Sequence, residues 1–148
     1  MRSIERYHVH MFEIAEGCQD PGETLVTLAV STAKYCRQNP GEALAMTLYS
    51  HSRLMAAVPD RLRDEAAHIN DQVFELLGNL AMERFPKLTT DPRLVPFVFT
   101  SVVGLCYGLL RPYIIQQLSI PPWLDDVIRD SCRAALATGD TWNTHQKN

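Results

Sequence analysis

One uncharged segment constrains this chain more than any other feature. Residues 94–110 carry no charged side chain, and Arg111 is the only charged residue between Arg93 and Asp125. Three structures account for such a segment: a membrane span, a packed core helix, or the wall of a binding cavity with one polar group. Its length is at the short end of the range for a membrane span, and it contains Pro96 and two glycines. A buried helix is therefore the expected structure.

The length and charge of the chain indicate its broad class. At 148 residues, one domain with its own hydrophobic core is expected. The chain has 14 basic and 17 acidic residues, whereas binding to a phosphate backbone or to anionic lipid draws on clustered Lys and Arg. We therefore expect these residues to bind neither DNA nor a membrane.

The cysteines and the N-terminus predict a cellular location. Cys18, Cys36, Cys106 and Cys132 form no CxxC pair, and they lie in apolar stretches where free thiols behave as small hydrophobic groups. The first residues, MRSIERYHVHMFEIAEG, contain no apolar segment typical of a signal peptide. A cytoplasmic protein is expected.

Prolines mark the positions where helices begin. Asp20-Pro21-Gly22-Glu23 and Asn39-Pro40-Gly41-Glu42 each place an N-cap residue before a proline and a carboxylate at the third helical position, which predicts a capping box. Asp91-Pro92 opens another helix in the same way. Val58-Pro59 and Pro121-Pro122 are looser versions of this signal.

The spacing of apolar residues predicts an all-α protein. Apolar residues recur at three and four residues in two series. One comprises Ile4, Tyr7, Met11, Ile14 and Cys18, and the other runs from Leu62 to Leu80. Helices over about 39–55 and 91–117 are apolar on several sides, so we expect them between other helices. With a last helix over about 122–138, we predict an orthogonal bundle of about six helices in residues 1–138. The tail, 139–148, is expected to be flexible, Trp142 included.

Signatures of catalysis and metal binding are sparse. The sequence has no nucleophile elbow, no glycine-rich phosphate loop and no HExxH motif. His10 and Glu13 have a spacing that suits two metal ligands, but no third ligand is evident. His68, near acidic residues, is typical of a surface histidine, whereas His51 fits either a core histidine or a polar group lining a cavity. We predict no catalytic residue, no cofactor and no metal.

Two glycines within the uncharged helix predict a close approach. Each of Gly104 and Gly108 costs about 1 kcal/mol relative to alanine in a helix, which favours another helix or a ligand near the backbone. Tyr107 and Arg111 lie four residues apart and share a face. A buried guanidinium at Arg111 would need acceptors. Pro112 is expected to break or kink the helix and free the carbonyl of Gly108.

Several segments together resemble a known domain. They are a helix ending in YCRQNP, the segment GEALAMTLYSHSRLMAAVPDRLRDEAAHINDQVFELLGNLAMERF, then TDPRLVPFVFTSVVGLCYGLLR, then PPWLDDVIRDSCRAALA. In this order they resemble the C-terminal domain of the TetR family of bacterial transcriptional regulators. The resemblance covers residues 1–138 and rests on the NP and DPRL helix openings, the GL…G pattern and the final alanine-rich stripe.

The resemblance implies a dimeric ligand-binding domain. In that family the last two long helices pair with their copies in a second subunit as a four-helix bundle, and the other helices enclose a mostly apolar cavity for a small effector. Effector binding changes the spacing of two N-terminal DNA-binding heads. The helix-turn-helix segment of about 50 residues is not in this sequence. DNA contact is therefore expected only through such an N-terminal domain.

Nine residues are candidates for the cavity wall, and about half are expected to line a void while the rest are core. They are Met46, Tyr49, His51, Met55, Phe74, Leu77, Phe97, Tyr107 and Arg111. We expect an apolar or aromatic ligand, and Arg111 suits a carboxylate on it.

Two other functions are compatible with the sequence. A helical protein-interaction module without a small-molecule site would use the exposed stripe of its last helix to bind a different protein. A small helical enzyme would need titratable residues that converge on the cavity, and the sequence offers only His51, with no paired acid. A stable homodimer favours the ligand-binding domain, and a stable monomer favours the interaction module.

Overall fold

A computed structural model describes residues 2–48 and 55–142, and this part of the chain is helical without a β-strand. The predicted all-α bundle is confirmed. Its helices are α1 (Arg2–Glu16), α2 (Pro21–Gln38), α3 (Pro40–Leu48), α4 (Arg63–Ala67), α5 (Asp71–Arg84), α6 (Leu94–Ile115) and α7 (Leu124–Asp140). Short 3₁₀ turns at Asp60–Leu62 and Pro86–Leu88 precede α4 and follow α5.

The predicted helix starts are confirmed at α2 and α3, but the reciprocal capping boxes are not formed. Asp20 caps α2 by accepting a 2.8 Å hydrogen bond from the backbone N–H of Glu23. The Glu23 carboxylate does not return to the cap and instead pairs with Arg133 of α7 at 3.0 Å. Glu42 likewise accepts hydrogen bonds from Tyr35 of α2 and Arg6 of α1. Both carboxylates therefore join helices, because oppositely charged or donating partners lie within reach.

Helix α2 lies at the centre of the bundle. It packs against α1, α3, α5, α6 and α7. Its side chains from Thr24 to Val26 and from Leu28 to Ala33 are buried, as are Tyr35 and Cys36. A helix that is apolar on nearly all sides must be surrounded by other helices. Helix α2 is therefore the centre of the core against which the other helices pack.

The predicted continuous helix from Leu62 to Leu80 is wrong. The chain turns at residues 68–70 between α4 and α5, where the N–H of Asp71 donates to the carbonyl of His68 at 3.0 Å. The side chain of Asn70 hydrogen-bonds His8 of α1. Asparagine is a weak helix former that accepts local and tertiary hydrogen bonds in place of helical ones, which explains the break.

The predicted boundary of the C-terminal tail is also wrong. Helix α7 continues to Asp140, and the ring of Trp142 lies 4.6 Å from that of Phe97 and 4.3 Å below the guanidinium carbon of Arg93. Gly139 is buried between Phe85 and Phe97. These contacts anchor the chain as far as Trp142, although the residues lack helical periodicity. Residues 143–148 lie outside the described part.

Helix α6 buries every fourth residue along its whole length. The buried apolar positions are Leu94, Val98, Val102, Cys106, Leu110 and Ile114, and Ser101 is buried beside this stripe. A straight α-helix has 3.6 residues per turn, so a four-residue repeat would rotate away from the core by about 40° at each step. The segment Thr100–Gly104 is a π-helix, in which the N–H of Leu105 donates to the carbonyl of Thr100. This wider turn returns the stripe to the core.

The same helix passes the length and composition criteria for a membrane span, but this is weak evidence. Of its most apolar stretch, 33% is buried inside the bundle. Core helices of helical bundles meet the same criteria, and α6 packs against α2, α3, α5 and α7. Its buried stripe therefore agrees with the core helix expected from the sequence.

Candidate ligand-binding cavity

A cavity of about 230 Å³ lies between α1, α2, α3 and α6. Most of its wall is apolar, formed by Ile4, Met11, Leu28, Ala43, Met46, Val102 and Val103, with the thiols of Cys36 and Cys106. Five polar side chains complete the lining: Tyr7, His8, Thr32, Asn70 and Tyr107. An apolar cavity with a few polar groups is the usual form of a small-molecule site.

The hydroxyl groups in the wall belong to two tyrosine–threonine pairs. Tyr7 and Thr32 are 2.7 Å apart between their oxygens, and Tyr107 donates to Thr47. Each threonine also donates to a carbonyl of its own helix. Thr32 Oγ1 lies 3.0 Å from the oxygen of Leu28, and Thr47 Oγ1 lies 2.8 Å from that of Ala43. Both pairs are therefore held in a fixed orientation.

The ionisable groups of the wall are held in their neutral forms. Burial raises the pKa values of Tyr7, Tyr107 and Cys106, and it raises that of Cys36 to about 11. Burial lowers the pKa of His8, and its hydrogen bond to Asn70 only partly opposes this effect. All five groups are consequently uncharged at neutral pH.

The structure brings two of the nine predicted residues to the cavity. Met46 and Tyr107 line it. Leu77 is core, with 2% of its surface exposed. Phe74 is exposed and stacks against Phe99 at 5.6 Å, and Phe97 packs against Phe85 and Trp142. Met55 is half-buried away from the cavity lining. Tyr49 and His51 lie outside the described residues.

The expectation of a buried Arg111 is wrong. Its side chain is exposed and does not line the cavity. The stripe at every fourth residue directs Leu110 and Ile114 inward, and Arg111 follows the buried position rather than occupying it. Its charge lies close enough to Tyr107, one turn earlier, to lower the pKa of that phenol slightly, but burial outweighs this effect.

The helix break expected at Pro112 is absent. The close neighbour predicted at Gly104 and Gly108 is not seen either. The helix continues through Pro112 to Ile115. A Cβ atom built on Gly108 would meet nothing within 4 Å, and one built on Gly104 would meet only the methyl group of Thr100 at 3.8 Å. In the part of the chain that the structure describes, no other helix lies against these glycines.

Helix α1 contributes residues to the cavity wall that were predicted from the sequence only to pack against other helices. Ile4, Tyr7 and Met11 lie on its apolar stripe and border the cavity together with His8. Periodicity identifies the inward face of a helix, but it does not distinguish a packed neighbour from a void. Thr32 borders the cavity from α2, but Thr24, Thr27 and Ser31 lie on the same helix, so the sequence does not single it out.

The histidines form no metal site in the described ranges, where no group of three or more His, Cys, Asp or Glu side chains is placed to hold an ion. His10 stacks against Tyr35 with ring centres 5.0 Å apart, and its buried Nε2 atom has no protein partner. His68 Nδ1 lies 2.7 Å from a carboxylate oxygen of Asp71 on the surface. These contacts are structural.

A second, larger depression of about 660 Å³ lies between the start of α3 and the end of α6. Arg37 is its cationic side chain, and its guanidinium already donates to the carbonyls of Ile120 and Pro121 and pairs with Asp125 at 2.9 Å. The depression thus offers a ligand no unpaired charge. The smaller cavity, with its fixed hydroxyls and apolar wall, is the better candidate site.

The outer surface of α6 and α7 is unusually apolar. Leu105, Ile115 and Val127 are each 38% exposed, and Trp123 is 57% exposed. The opposite edge of α7 is polar and tied to α2, through Arg133 to Glu23 and through Asp125 to Arg37. Helical spacing places Val127 and Ala134 together on the edge away from those ion pairs. We call this apolar surface of α6 and α7 the outer face.

Comparisons with known proteins identify no relative. No protein-family model, no curated protein and no solved structure matches the chain. The argument for function therefore rests on the cavity, the outer face and the residues that form them.

Proposed function

We propose that this chain is the effector-binding and homodimerisation domain of a TetR-like transcriptional regulator. In this proposal a small apolar molecule occupies the cavity, and two copies pair through α6 and α7. The observation that carries it is the double role of α6. This one helix forms part of the cavity wall and part of the outer face.

The residues that give α6 its two roles are close neighbours along the helix. Val103 and Tyr107 line the cavity, while Leu105 and Gly108 are exposed on the other side. A rigid helix cannot move one of its faces without moving the other. A ligand that displaces α6 therefore changes the outer face, and this provides a physical link between binding and the arrangement of two subunits.

The outer face has the composition of an interface. Exposed apolar surface of this extent on two neighbouring helices typically marks a binding surface for protein. Gly108 and Ala134 are small, so the backbone of a second helix can approach closely. Two such helices from each copy would form a four-helix bundle, which supports a second copy as the partner.

A binding role, rather than catalysis, fits the chemistry of the wall. Its tyrosines and cysteines have raised pKa values, so they are poor bases and poor nucleophiles at neutral pH. His8 borders the cavity beside Asn70, and the described lining of the cavity contains no carboxylate. DNA contact is proposed to come from a helix-turn-helix N-terminal to these residues, because the chain has a net charge of −3.

The test of dimerisation is a pair of matched substitutions on α7. Ala134→Glu places a negative charge on the outer face. Ala137→Glu places the same charge at an exposed position closer to the polar edge of α7. Light scattering should show a homodimer for the original chain and for Ala137→Glu, and a monomer for Ala134→Glu. A stable monomer for the original chain would instead favour the interaction module that binds a different protein.

A further inference from the structure

The lining of the cavity indicates more about the ligand than that it is apolar. Resting on the proposed function, we infer that the cavity takes an uncharged molecule of about one aromatic ring that carries a single hydrogen-bond donor, as a phenol does. Three independent observations support this: volume, charge and the direction of each hydroxyl proton.

Volume limits the ligand to about one ring. The cavity measures about 230 Å³. An apolar cavity of about 150 Å³ is large enough to hold benzene. The remaining space fits a small substituent on such a ring.

The described wall of the cavity carries no charged side chain to hold an ionised ligand. The described lining residues include no Asp, Glu, Lys or Arg. Moving a carboxylate from water into such surroundings without a partner is strongly unfavourable. Arg111 does not offset this cost, because its side chain is exposed outside the lining. The expectation of a carboxylate-bearing ligand is therefore replaced by a neutral one.

The hydroxyl protons of the wall are already committed. A hydroxyl group has one proton, and each threonine of the two pairs directs its proton to a backbone carbonyl, at Leu28 or Ala43. Tyr107 then donates to Thr47 and has no proton left for a ligand. Between Tyr7 and Thr32 either oxygen can donate, and Tyr7 is the donor when Thr32 gives its proton to Leu28. The thiol of Cys106 also donates to a carbonyl, that of Ala29 at 3.1 Å.

The tyrosine oxygens can still accept a hydrogen bond from a ligand through their lone pairs. A phenolic oxygen that donates one hydrogen bond can accept another. At the tyrosine oxygens a ligand O–H or N–H group finds an acceptor, whereas a ketone or ether placed there would set an acceptor against another acceptor. Turning a tyrosine toward such a ligand would leave its threonine without a donor, which is unfavourable in a buried site. The donors elsewhere in the lining belong to His8, Asn70 and Cys36.

The test compares four single-ring probes by isothermal titration calorimetry on the full chain. p-Cresol is neutral and donates, p-xylene has nearly the same shape without the donor, 4-methylanisole has only an acceptor, and p-toluate is charged. We expect p-cresol to bind about ten-fold more tightly than p-xylene or 4-methylanisole, as the value of one hydrogen bond suggests. No binding is expected for p-toluate.

Two variants locate the effect. Tyr107→Phe and Tyr7→Phe each remove one acceptor with little change of shape, and at least one of them should bring the affinity for p-cresol down to that for p-xylene. Affinity for p-xylene should stay unchanged, which also shows that the variant is folded. If both variants keep the preference for p-cresol, the assignment of the tyrosine acceptors is wrong.

The outcomes separate this inference from the function on which it rests. Equal affinity for p-cresol and 4-methylanisole, or tighter binding of p-toluate, overturns the donor or the charge argument while a ligand-binding domain still stands. Binding of two-ring apolar probes alone overturns the size argument in the same way. If no apolar probe of any size binds, the proposed effector cavity itself is refuted.

Discussion

Helix α6 passes through two packing environments that differ sharply. Near its start, Phe97 lies between Phe85 and Trp142, with ring centres 5.8 and 4.6 Å away, and Gly139 fits directly against the two phenylalanines. Near its middle, Val103 and Tyr107 face a cavity of about 230 Å³. We call the first region the aromatic end and the second the cavity region.

The difference shows where this bundle tolerates change. At the aromatic end no space remains, so an added atom must displace rings. In the cavity region an added atom meets a void, and filling it gains contacts. The proposed effector domain would use this combination, because a ligand can move a helix when one part of the helix is firmly held and another has room. The predictions below test the contrast, beginning with the largest effect.

Gly139→Ala should cause the greatest loss of stability. A Cβ atom at this position would lie 2.8 Å from ring carbons of both Phe85 and Phe97. Overpacking of this kind costs about 1–3 kcal/mol. Urea denaturation at fixed protein concentration measures it. Gly78→Ala in α5 is the matched control, since nothing lies within 4 Å of its Cβ, and it should stabilise by about 0.5–1 kcal/mol. Equal effects at the two sites would remove the contrast.

Adding one methylene group should change the free energy of unfolding in opposite directions at two valines of α6. Val103→Leu extends into the cavity and should stabilise the fold by about 0.8 kcal/mol. Val98→Leu enlarges a side chain that is 1% exposed and packed on all sides, and should destabilise by about 1 kcal/mol or more. Thermal unfolding of both variants decides the sign, and destabilisation by both would indicate that the cavity region is already full.

A smaller effect concerns the pH dependence of stability. The folded pKa of His8 is lowered by burial, so the unfolded chain binds a proton more readily than the folded one. The stabilisation is present above the ordinary pKa of about 6.5 and is lost as the pH falls through the lower folded value. His8→Gln should reduce the loss of stability below pH 6.5. Denaturation at a series of pH values tests this, and an identical pH profile for the variant would contradict it.

The smallest effect is expected at an ion pair beside the aromatic end. Arg84 binds Asp140 through two hydrogen bonds of 2.8 and 2.9 Å, but the Asp140 side chain is 51% exposed. Asp140→Asn should therefore cost no more than about 1 kcal/mol, and less at high salt. Asp130→Asn is the control, because Asp130 is exposed on the same helix and has no ion pair with any described residue. A loss that salt does not diminish would argue against an electrostatic origin.

Local signals in the sequence predicted the helices well. The N-cap at Asp20 was predictable because it depends on residues within one turn. The break at residues 68–70 was not, because it depends on the contact of Asn70 with His8, which is distant in sequence. Trp142 was assigned to a flexible tail for the same reason, since its partners Phe97 and Arg93 come from another helix.

The candidate site was only partly predictable. Met46 and Tyr107 were identified as wall residues, and both line the cavity. Tyr7 and Met11 were identified as an inward stripe without a cavity beside it. Arg111 was expected to be buried because its neighbours are apolar, yet a helix that is apolar on several sides does not reveal which side faces the core. The π-helix decided this question, and it has no distinctive sequence signal.

The π-helix at Thr100–Gly104 sets the phase of the second half of α6. It accommodates about one more residue than an α-helical turn would, much like an insertion that the helix has absorbed. Removing a single residue there would leave the composition almost unchanged. An ordinary α-helical turn would then replace the π-turn, and the later residues would keep their directions. Tyr107 would stay at the cavity and the outer face would stay outside, so the π-turn lets α6 carry one additional residue without disturbing either surface.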